Sequence, residues 1–179
     1  PGERVLDVAC GTGNLAIPAA RSGAKVTGID IAPNLVEQAQ AWAHSEGLAI
    51  RFEEGNAEQM PYPDGSFDAV VTMFGAMFAP RPDATAAELV RVCRSGGYIA
   101  MANWTPDGFI GQMFKIIAKH VPPAPGAQSP IQWGNAAMVQ ERLGDQIADL
   151  RCTERTITFN FPFSAMATVE YFRTYYGPT

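Results

Sequence analysis

Residues 5–14 have the sequence VLDVACGTGN, a short apolar run followed by a loop with two glycines. The apolar run predicts a buried strand from Arg4 to Val8, and Asn14 to Arg21 has the pattern of a helix. Glycines directly after a strand let the backbone come close to a ligand, and the N-terminus of the next helix adds positive potential. We therefore predict a ligand site where this first strand ends.

A second strand is predicted from Lys25 to Ile29, and it ends at Asp30, 17 residues after Gly13. A carboxylate at this position can accept hydrogen bonds from both hydroxyls of a ribose. The strand, the glycine loop and Asp30 together predict a unit that binds a nucleoside-containing cofactor at the carboxyl ends of the strands.

Short apolar runs continue to alternate with helical stretches beyond this unit. We predict a helix from Pro33 to about Ser45, a helix that Asp83 caps and that runs to about Arg94, and strands at Ile50–Glu53, Phe67–Phe74 and Tyr98–Asn103. Five strands that alternate with helices indicate an α/β fold, a Rossmann-like, doubly wound and mostly parallel sheet with helices on both faces.

This alternation changes at Thr105–Gly108. Helices are predicted at Phe109–His120 and Asn135–Gly144, a half-exposed strand at Thr156–Phe161, and a last helix that Ser164 caps. We expect a single domain over residues 1–179, with a cofactor-binding core at 1–103 and a substrate-cap insertion and C-terminal part at 104–179.

Composition excludes several classes of protein. The 179 residues fit one domain, and 47% hydrophobic with 17% charged residues is typical of a globular chain. A net charge of −5 without a stripe of Lys and Arg argues against nucleic-acid binding, and no run of about 18 apolar residues predicts a membrane span. Cys10, Cys93 and Cys152 form neither a disulfide framework nor a zinc motif, so we expect a cytoplasmic protein without a metal.

Two cofactors remain open from the residues alone. GTGNLA at residues 11–16 fits the dinucleotide pattern G-x-G-x-x-G/A, so a nicotinamide-dependent oxidoreductase is one alternative. Asp7 favours another ligand, because a carboxylate inside the first strand repels a nearby pyrophosphate. It suits a ligand with a cationic amino-acid tail.

The chain resembles the class I S-adenosylmethionine-dependent methyltransferases, and within them the small-molecule branch that includes ubiquinone/menaquinone C-methyltransferases. The resemblance covers residues 4 to about 103. Four blocks carry it, in the order and spacing of that family: LDVACGTG at 6–13, GIDIAP at 28–33, EGNAEQMPYPDGSFD at 54–68 and ELVRVCRSGG at 88–97.

The resemblance implies S-adenosyl-L-methionine as cofactor and S-adenosyl-L-homocysteine as product. It assigns to cofactor binding Asp7, Ala9, Cys10, Gly11, Gly13, Asp30, Ile31, Asn56, Ala57 and Phe74. Asp7 and the backbone of residues 9–13 are expected at the methionyl part, and Asp30 at the ribose. Ala9 replaces the usual first glycine of the loop.

The adenine and the sulfonium have their own expected contacts. Ile31 is expected on the adenine face, Asn56 and Ala57 at the adenine edge, and Phe74 with Gly75 beside the sulfonium. Asn56 stands where the family has a carboxylate, but its amide oxygen can still accept a hydrogen bond from the adenine amino group. An ordinary turn residue is the alternative interpretation of Asn56.

The implied reaction is an in-line attack of an acceptor atom on the methyl group. We find no convincing general base, since His44 and His120 are both expected at the surface. Six large apolar side chains could roof an acceptor pocket and indicate a small, apolar or aromatic acceptor: Phe78, Trp104, Phe109, Met113, Trp133 and Phe163. They could equally form the core between sheet and cap. Glu88 and Arg91 are expected on a solvated helix face.

The family's sheet has the strand order 3-2-1-4-5-7-6, and this sequence offers no candidate for the seventh strand. A sheet with that position empty has two unpaired edges. We therefore expect the natural protein to continue past Thr179, or a partner to fill the gap, and we expect helices before Pro1. A module that binds S-adenosylmethionine without catalysis is a further alternative.

Overall fold

A computed structural model of the chain describes residues 2–122 and 128–175 and has a five-stranded sheet. The strands are β1 (Arg4–Val8), β2 (Lys25–Asp30), β3 (Arg51–Glu54), β4 (Phe67–Met73) and β5 (Cys93–Ala102). They lie in the order β3-β2-β1-β4-β5, and each neighbouring pair is parallel. The predicted α/β fold and the order of its first five strands are confirmed.

The described residues contain six α-helices. They are α1 (Ala16–Arg21), α2 (Pro33–Ser45), α3 (Pro82–Val92), α4 (Phe109–His120), α5 (Ala136–Leu143) and α6 (Ala165–Tyr175). Short 3-10 turns lie at Ala76–Phe78, Pro130–Gly134 and Gly144–Gln146. None of the helices in the described part of the chain is both long and apolar enough to cross a membrane.

Each face of the sheet is covered by its own apolar cluster. Val5 and Leu6 are neighbours in β1, and because strand side chains alternate, they point to opposite faces. Val5 packs with buried residues of α1 and α2, whereas Leu6 packs with buried residues of α3 and α5. The helices therefore form two layers, one on each face of the parallel sheet.

The junction between α3 and β5 differs from the prediction. Arg81 occupies the N-cap position of α3, so Asp83 lies in the first turn and does not cap it. The reason is Pro82, whose fixed φ suits the first helical position. The helix passes directly into β5 at Cys93, five residues before the predicted start at Tyr98. A register shift in β4 and a positive φ at Gly96 accommodate this early start.

The predicted strand at Thr156–Phe161 is wrong, because residues 149–161 form neither strand nor helix. The alternation of apolar and polar residues predicts one apolar face, but a strand also needs an edge that pairs with its backbone. Phe159 instead stacks on Phe161, with ring centroids 6.1 Å apart, and it contacts Trp104. Within the described ranges, β5 consequently pairs with β4 alone.

Candidate functional site

The glycine loop between β1 and α1 is tied to the end of β2. Cys10 donates its backbone N–H to the Ile29 carbonyl at 3.0 Å, and Gly11 donates to Asp30 Oδ2 at 2.7 Å. Asp30 Oδ1 accepts the Ala32 N–H at 2.9 Å. Each oxygen of this buried carboxylate therefore already accepts a hydrogen bond from a backbone N–H, and each keeps a second lone pair for a ligand.

Asp7 lies beneath the loop, and its carboxylate is incompletely paired. The residue is 1% exposed, and its Oδ2 has no hydrogen-bond partner among the described residues. Burial raises the pKa of Asp7 to about 7, the Ala16 backbone N–H opposes that rise, and repulsion from Asp30 adds to it. A free, buried acceptor oxygen at a ligand loop fits a cationic group of a ligand.

Two strained residues lie at the ends of neighbouring strands. Ala9 after β1 has a φ of +55°, and Phe74 after β4 has a φ of +58°. Residues other than glycine rarely adopt such values. Gly75 fits against this strained turn because a Cβ there would lie 2.4 Å from the Ala9 carbonyl oxygen. Strain of this kind gathers at ligand sites.

The residues expected around an adenine follow two paired strands. Asp30 of β2 pairs with Glu54 of β3, so Ile31 and Asn56 come just after adjacent strand ends. Ile31 is 70% exposed, which leaves its apolar side chain free to pack on a ligand. Asn56 Oδ1 accepts the Glu58 N–H at 2.9 Å, as a turn residue does, and Ala57 packs against the core.

The expected acceptor pocket is only partly assembled. Phe74 stacks on Trp104 with ring centroids 4.1 Å apart and an interplanar angle of 15°. Trp104 contacts Phe159, and ring contacts continue from there through a group that we call the aromatic cluster. Its members are Phe74, Trp104, Phe109, Phe159, Phe161, Phe163, Tyr171, Phe172 and Tyr175.

Three of the six predicted pocket residues are not members of the aromatic cluster. Phe78 makes an edge contact with Phe114 at 6.0 Å, and Met113 is half-buried in α4. Trp133 is 4% exposed and packs in the core against Val139 and Leu143. For Trp133 the structure therefore favours the core interpretation over a direct place in a pocket.

Three charged residues have tertiary partners or burial that sequence reasoning did not find. The Met60 N–H donates to Glu88 Oε2 at 2.5 Å, and Arg91 donates to the carbonyl oxygens of Met60 at 3.0 Å and Tyr62 at 2.6 Å. Glu88 and Arg91 thus hold the loop after β3 and are not a merely solvated helix face. Glu58 is likewise buried at 8% exposure. The spacing of apolar residues along a helix does not predict which distant backbone groups its charged side chains bind.

Cys10 and the two histidines occupy ordinary positions. Cys10 is buried among apolar residues, and burial raises the pKa of its thiol above the usual range. This favours packing over reactivity. His44 on α2 and His120 at the end of α4 are both exposed.

The family model described as "Methyltransferase domain" matches residues 6–101. An uncharacterized protein of Mycobacterium tuberculosis is 44% identical over 181 residues, which is 99% of this chain and 65% of that protein. A demethylmenaquinone methyltransferase of Deinococcus radiodurans is 42% identical over 131 residues, 70% of this chain and 54% of that enzyme. The chain therefore spans under two thirds of the length of the relatives that it matches.

Solved structures agree with the fold. The crystal structure of a putative methyltransferase from Bacillus halodurans is 25% identical, with a TM-score of 0.65. The similarity covers 80% of this chain and 62% of that one.

Proposed function

This chain belongs to the methyltransferase-domain family and resembles its quinone methyltransferases, and from that premise we propose that it binds S-adenosylmethionine at the ends of β1, β2 and β4. We propose further that it transfers the methyl group to a small, apolar or aromatic acceptor. Residues 1–103 would form the cofactor-binding core, and residues 104–179 the acceptor side.

The observation that carries this proposal is the unpaired Oδ2 of Asp7. A buried carboxylate oxygen without a partner is costly unless a ligand completes it. The cationic amino group of S-adenosylmethionine is such a partner, whereas the pyrophosphate of a dinucleotide would be repelled. Asp7 thereby favours the sulfonium cofactor over the nicotinamide alternative.

The other predicted residues take roles that follow from their positions. Asp30 would accept the ribose hydroxyls with its remaining lone pairs while it holds Gly11. The backbone of Ala9, Cys10, Gly11 and Gly13 would lie along the methionyl part. Ile31 would cover one face of the adenine, and Asn56 with Ala57 would lie at its edge.

The cofactor supplies the reactive methyl group when it is bound. The chain's own contribution is to orient the two reactants and to exclude water. Phe74, directly after β4, stacks on Trp104, just after β5, so the two rings would offer an apolar wall beside the reacting atoms. Alignment of this kind can contribute about 7–11 kcal/mol to lowering a barrier in favourable cases.

Calorimetric titration with S-adenosylmethionine, S-adenosylhomocysteine and NADH tests the cofactor. We expect micromolar binding of both sulfur nucleosides, no binding of NADH, and loss of binding in Asp30→Ala. Asp68→Asn is the matched control, because Asp68 is a carboxylate of the same sheet but pairs with Arg4 and Arg94. Binding of NADH alone would replace the methyltransferase proposal with the oxidoreductase.

Transfer of labelled methyl to a panel of phenols, quinols and other apolar acceptors tests the reaction. Transfer to any of them supports catalysis. Tight binding of S-adenosylhomocysteine without transfer to any acceptor would favour the non-catalytic binding module.

A further inference from the structure

We propose that Glu58 and Arg81 are positioning residues that couple the adenine side of the site to its acceptor side. The proposal rests on the function proposed above. It concerns a residue pair 23 positions apart that neither the glycine loop nor the aromatic cluster contains.

Both oxygens of Glu58 are committed to one partner. Oε1 accepts the backbone N–H of Arg81 at 2.5 Å, and Oε2 accepts the Nε–H of the same residue at 2.8 Å. The Glu58 side chain is 4% exposed, whereas that of Arg81 is 68% exposed. A buried carboxylate held by two hydrogen bonds has one preferred position, because any displacement leaves a charge without partners.

On the adenine side, Glu58 determines the shape of the turn that contains Asn56. The Glu58 N–H donates to Asn56 Oδ1 at 2.9 Å, and the Gln59 N–H donates to the Asn56 carbonyl oxygen at 3.1 Å. The residue that orients the Asn56 amide is thus the residue whose carboxylate Arg81 holds. A shift of Glu58 changes what Asn56 presents to an adenine.

On the acceptor side, Arg81 ends the loop that begins at Phe74. The start of this loop is fixed, since Phe74 donates to the Ala102 carbonyl at 2.9 Å and Ala76 donates to Thr72 Oγ1 at 3.1 Å. Its end is held by Glu58. The loop carries Phe74, whose ring stacks on Trp104, so the pair joins the turn that contains Asn56 to the acceptor wall.

The pair is not needed to attach α3 to the loop after β3. Glu88 and Arg91 already make that attachment through the backbone of Met60 and Tyr62. Loss of the Glu58–Arg81 contact should therefore leave α3 docked and loosen only the two loops at the site. This separates a positioning role from a purely structural one.

Titration of the whole protein with S-adenosylhomocysteine tests the proposal. Glu58→Gln keeps the size of the side chain but places an amide N–H₂ against a donor, and we expect the Kd to rise about tenfold with an unchanged stoichiometry. Arg81→Ala removes an exposed side chain, so it should fold and weaken binding in the same direction. Glu46→Gln, which breaks the Arg21–Glu46 pair between α1 and α2, is the matched control and should leave the Kd unchanged.

Coupling to Asn56 distinguishes positioning from general destabilisation. If Glu58 acts through Asn56, then Glu58→Gln with Asn56→Ala binds no more weakly than the weaker single variant. Three results would overturn the inference. The losses of Glu58→Gln and Asn56→Ala could add fully, Glu58→Gln and Arg81→Ala could both bind with the wild-type Kd, or the loss could appear only as a lower stoichiometry. Absence of binding by the unaltered protein is a different result and refutes the proposed cofactor itself.

Discussion

Asp7 is 1% exposed and has one oxygen without a partner in the described part of the chain, so its ionised form is poorly solvated. The unliganded protein therefore carries an electrostatic cost at the position where a cation of the cofactor is expected. Ala9 and Phe74 add backbone strain at the same strand ends. Single residues at this site are thus arranged for a ligand at the expense of stability.

Asp7→Asn should stabilise the unliganded protein at alkaline pH. The folded pKa is raised from 3.8 to about 7, so the native state binds the proton more tightly than the unfolded state. Stability from this group is therefore full below about pH 4 and is lost as the pH rises to about 7. At about 1.4 kcal/mol per pKa unit, the variant should gain up to about 4 kcal/mol at pH 8.

Urea unfolding of both proteins between pH 5 and 8 measures this gain, which should grow with pH and level off above about 7. Asp68 is the opposite case, because the Arg4 backbone N–H and then the Arg94 side chain hold its pKa below the usual range. Its Asp68→Asn variant should lose stability at neutral pH. An Asp7→Asn protein that is less stable than wild type at pH 8 would contradict the argument.

Ala9→Gly should relieve strain in the loop. A residue with a Cβ costs about 1 kcal/mol or more in the left-handed region, where glycine is unstrained, although glycine gains unfolded-state entropy. We expect the free energy of unfolding to rise by up to about 1 kcal/mol. Ala41→Gly, at an exposed position inside α2, should lower it by about 1 kcal/mol and serves as the control. Equal destabilisation by both changes would exclude strain at Ala9.

The boundaries of some helices and strands are set by residues next to them in the chain, whereas other boundaries are set by tertiary contacts. Pro33 begins α2 where predicted, and Ser164 Oγ accepts the Ala167 N–H at 3.3 Å at the start of α6. The start of β5 is different, because its first pair joins Cys93 to Phe67 of β4. A neighbouring strand decided that boundary.

Asn135→Ala should weaken α5 through its N-terminus. Asn135 Oδ1 accepts the backbone N–H groups of Ala137 at 2.9 Å and Met138 at 3.2 Å, and the variant loses both bonds. A cap of this kind is worth about 1 kcal/mol. Chemical denaturation should show that loss, while Gln140→Ala at an exposed position of the same helix should not. An unchanged stability in Asn135→Ala would mean that packing alone holds the helix.

At the scale of the molecule, the chain has a well-packed sheet domain and a loosely attached C-terminal part. Nearly every residue from 149 to 175 is exposed, and α6 buries none of its side chains. Ring contacts such as Phe109–Phe172, 5.9 Å apart, join this part to the rest. Segments with so few buried contacts open at low free-energy cost.

Limited digestion with trypsin should therefore cut first after Arg151 or Arg155. Mass spectrometry of the early products should show a fragment that retains all five strands. Arg21, at the end of α1, and Arg94, within β5, should resist over the same period because their backbone is held in regular structure. A first cut between Arg4 and Ala102 would show that the sheet domain is the less stable part.

Local sequence was enough for most of the fold and for the choice of candidate residues. The apolar run at Val5–Val8, the glycines at 11 and 13 and the acid at 30 are each recognised from the few residues around them. They predict strand, turn and strand end without knowledge of distant partners. The same is true of α2 and α4, whose predicted bounds agree with the structure.

The sequence by itself determined five strands that alternate with helices, the loop that follows β1 and a resemblance to a family, and that resemblance implied the strand order. Only the tertiary structure decided that residues 149–161 form no strand, that Oδ2 of Asp7 has no partner among the described residues and that Glu58 meets Arg81. The physical reason is the distance along the chain over which each interaction acts. Backbone propensity and hydrophobic periodicity act between neighbours in the chain, whereas burial, strand edges and charge partners depend on groups that folding brings together from distant positions.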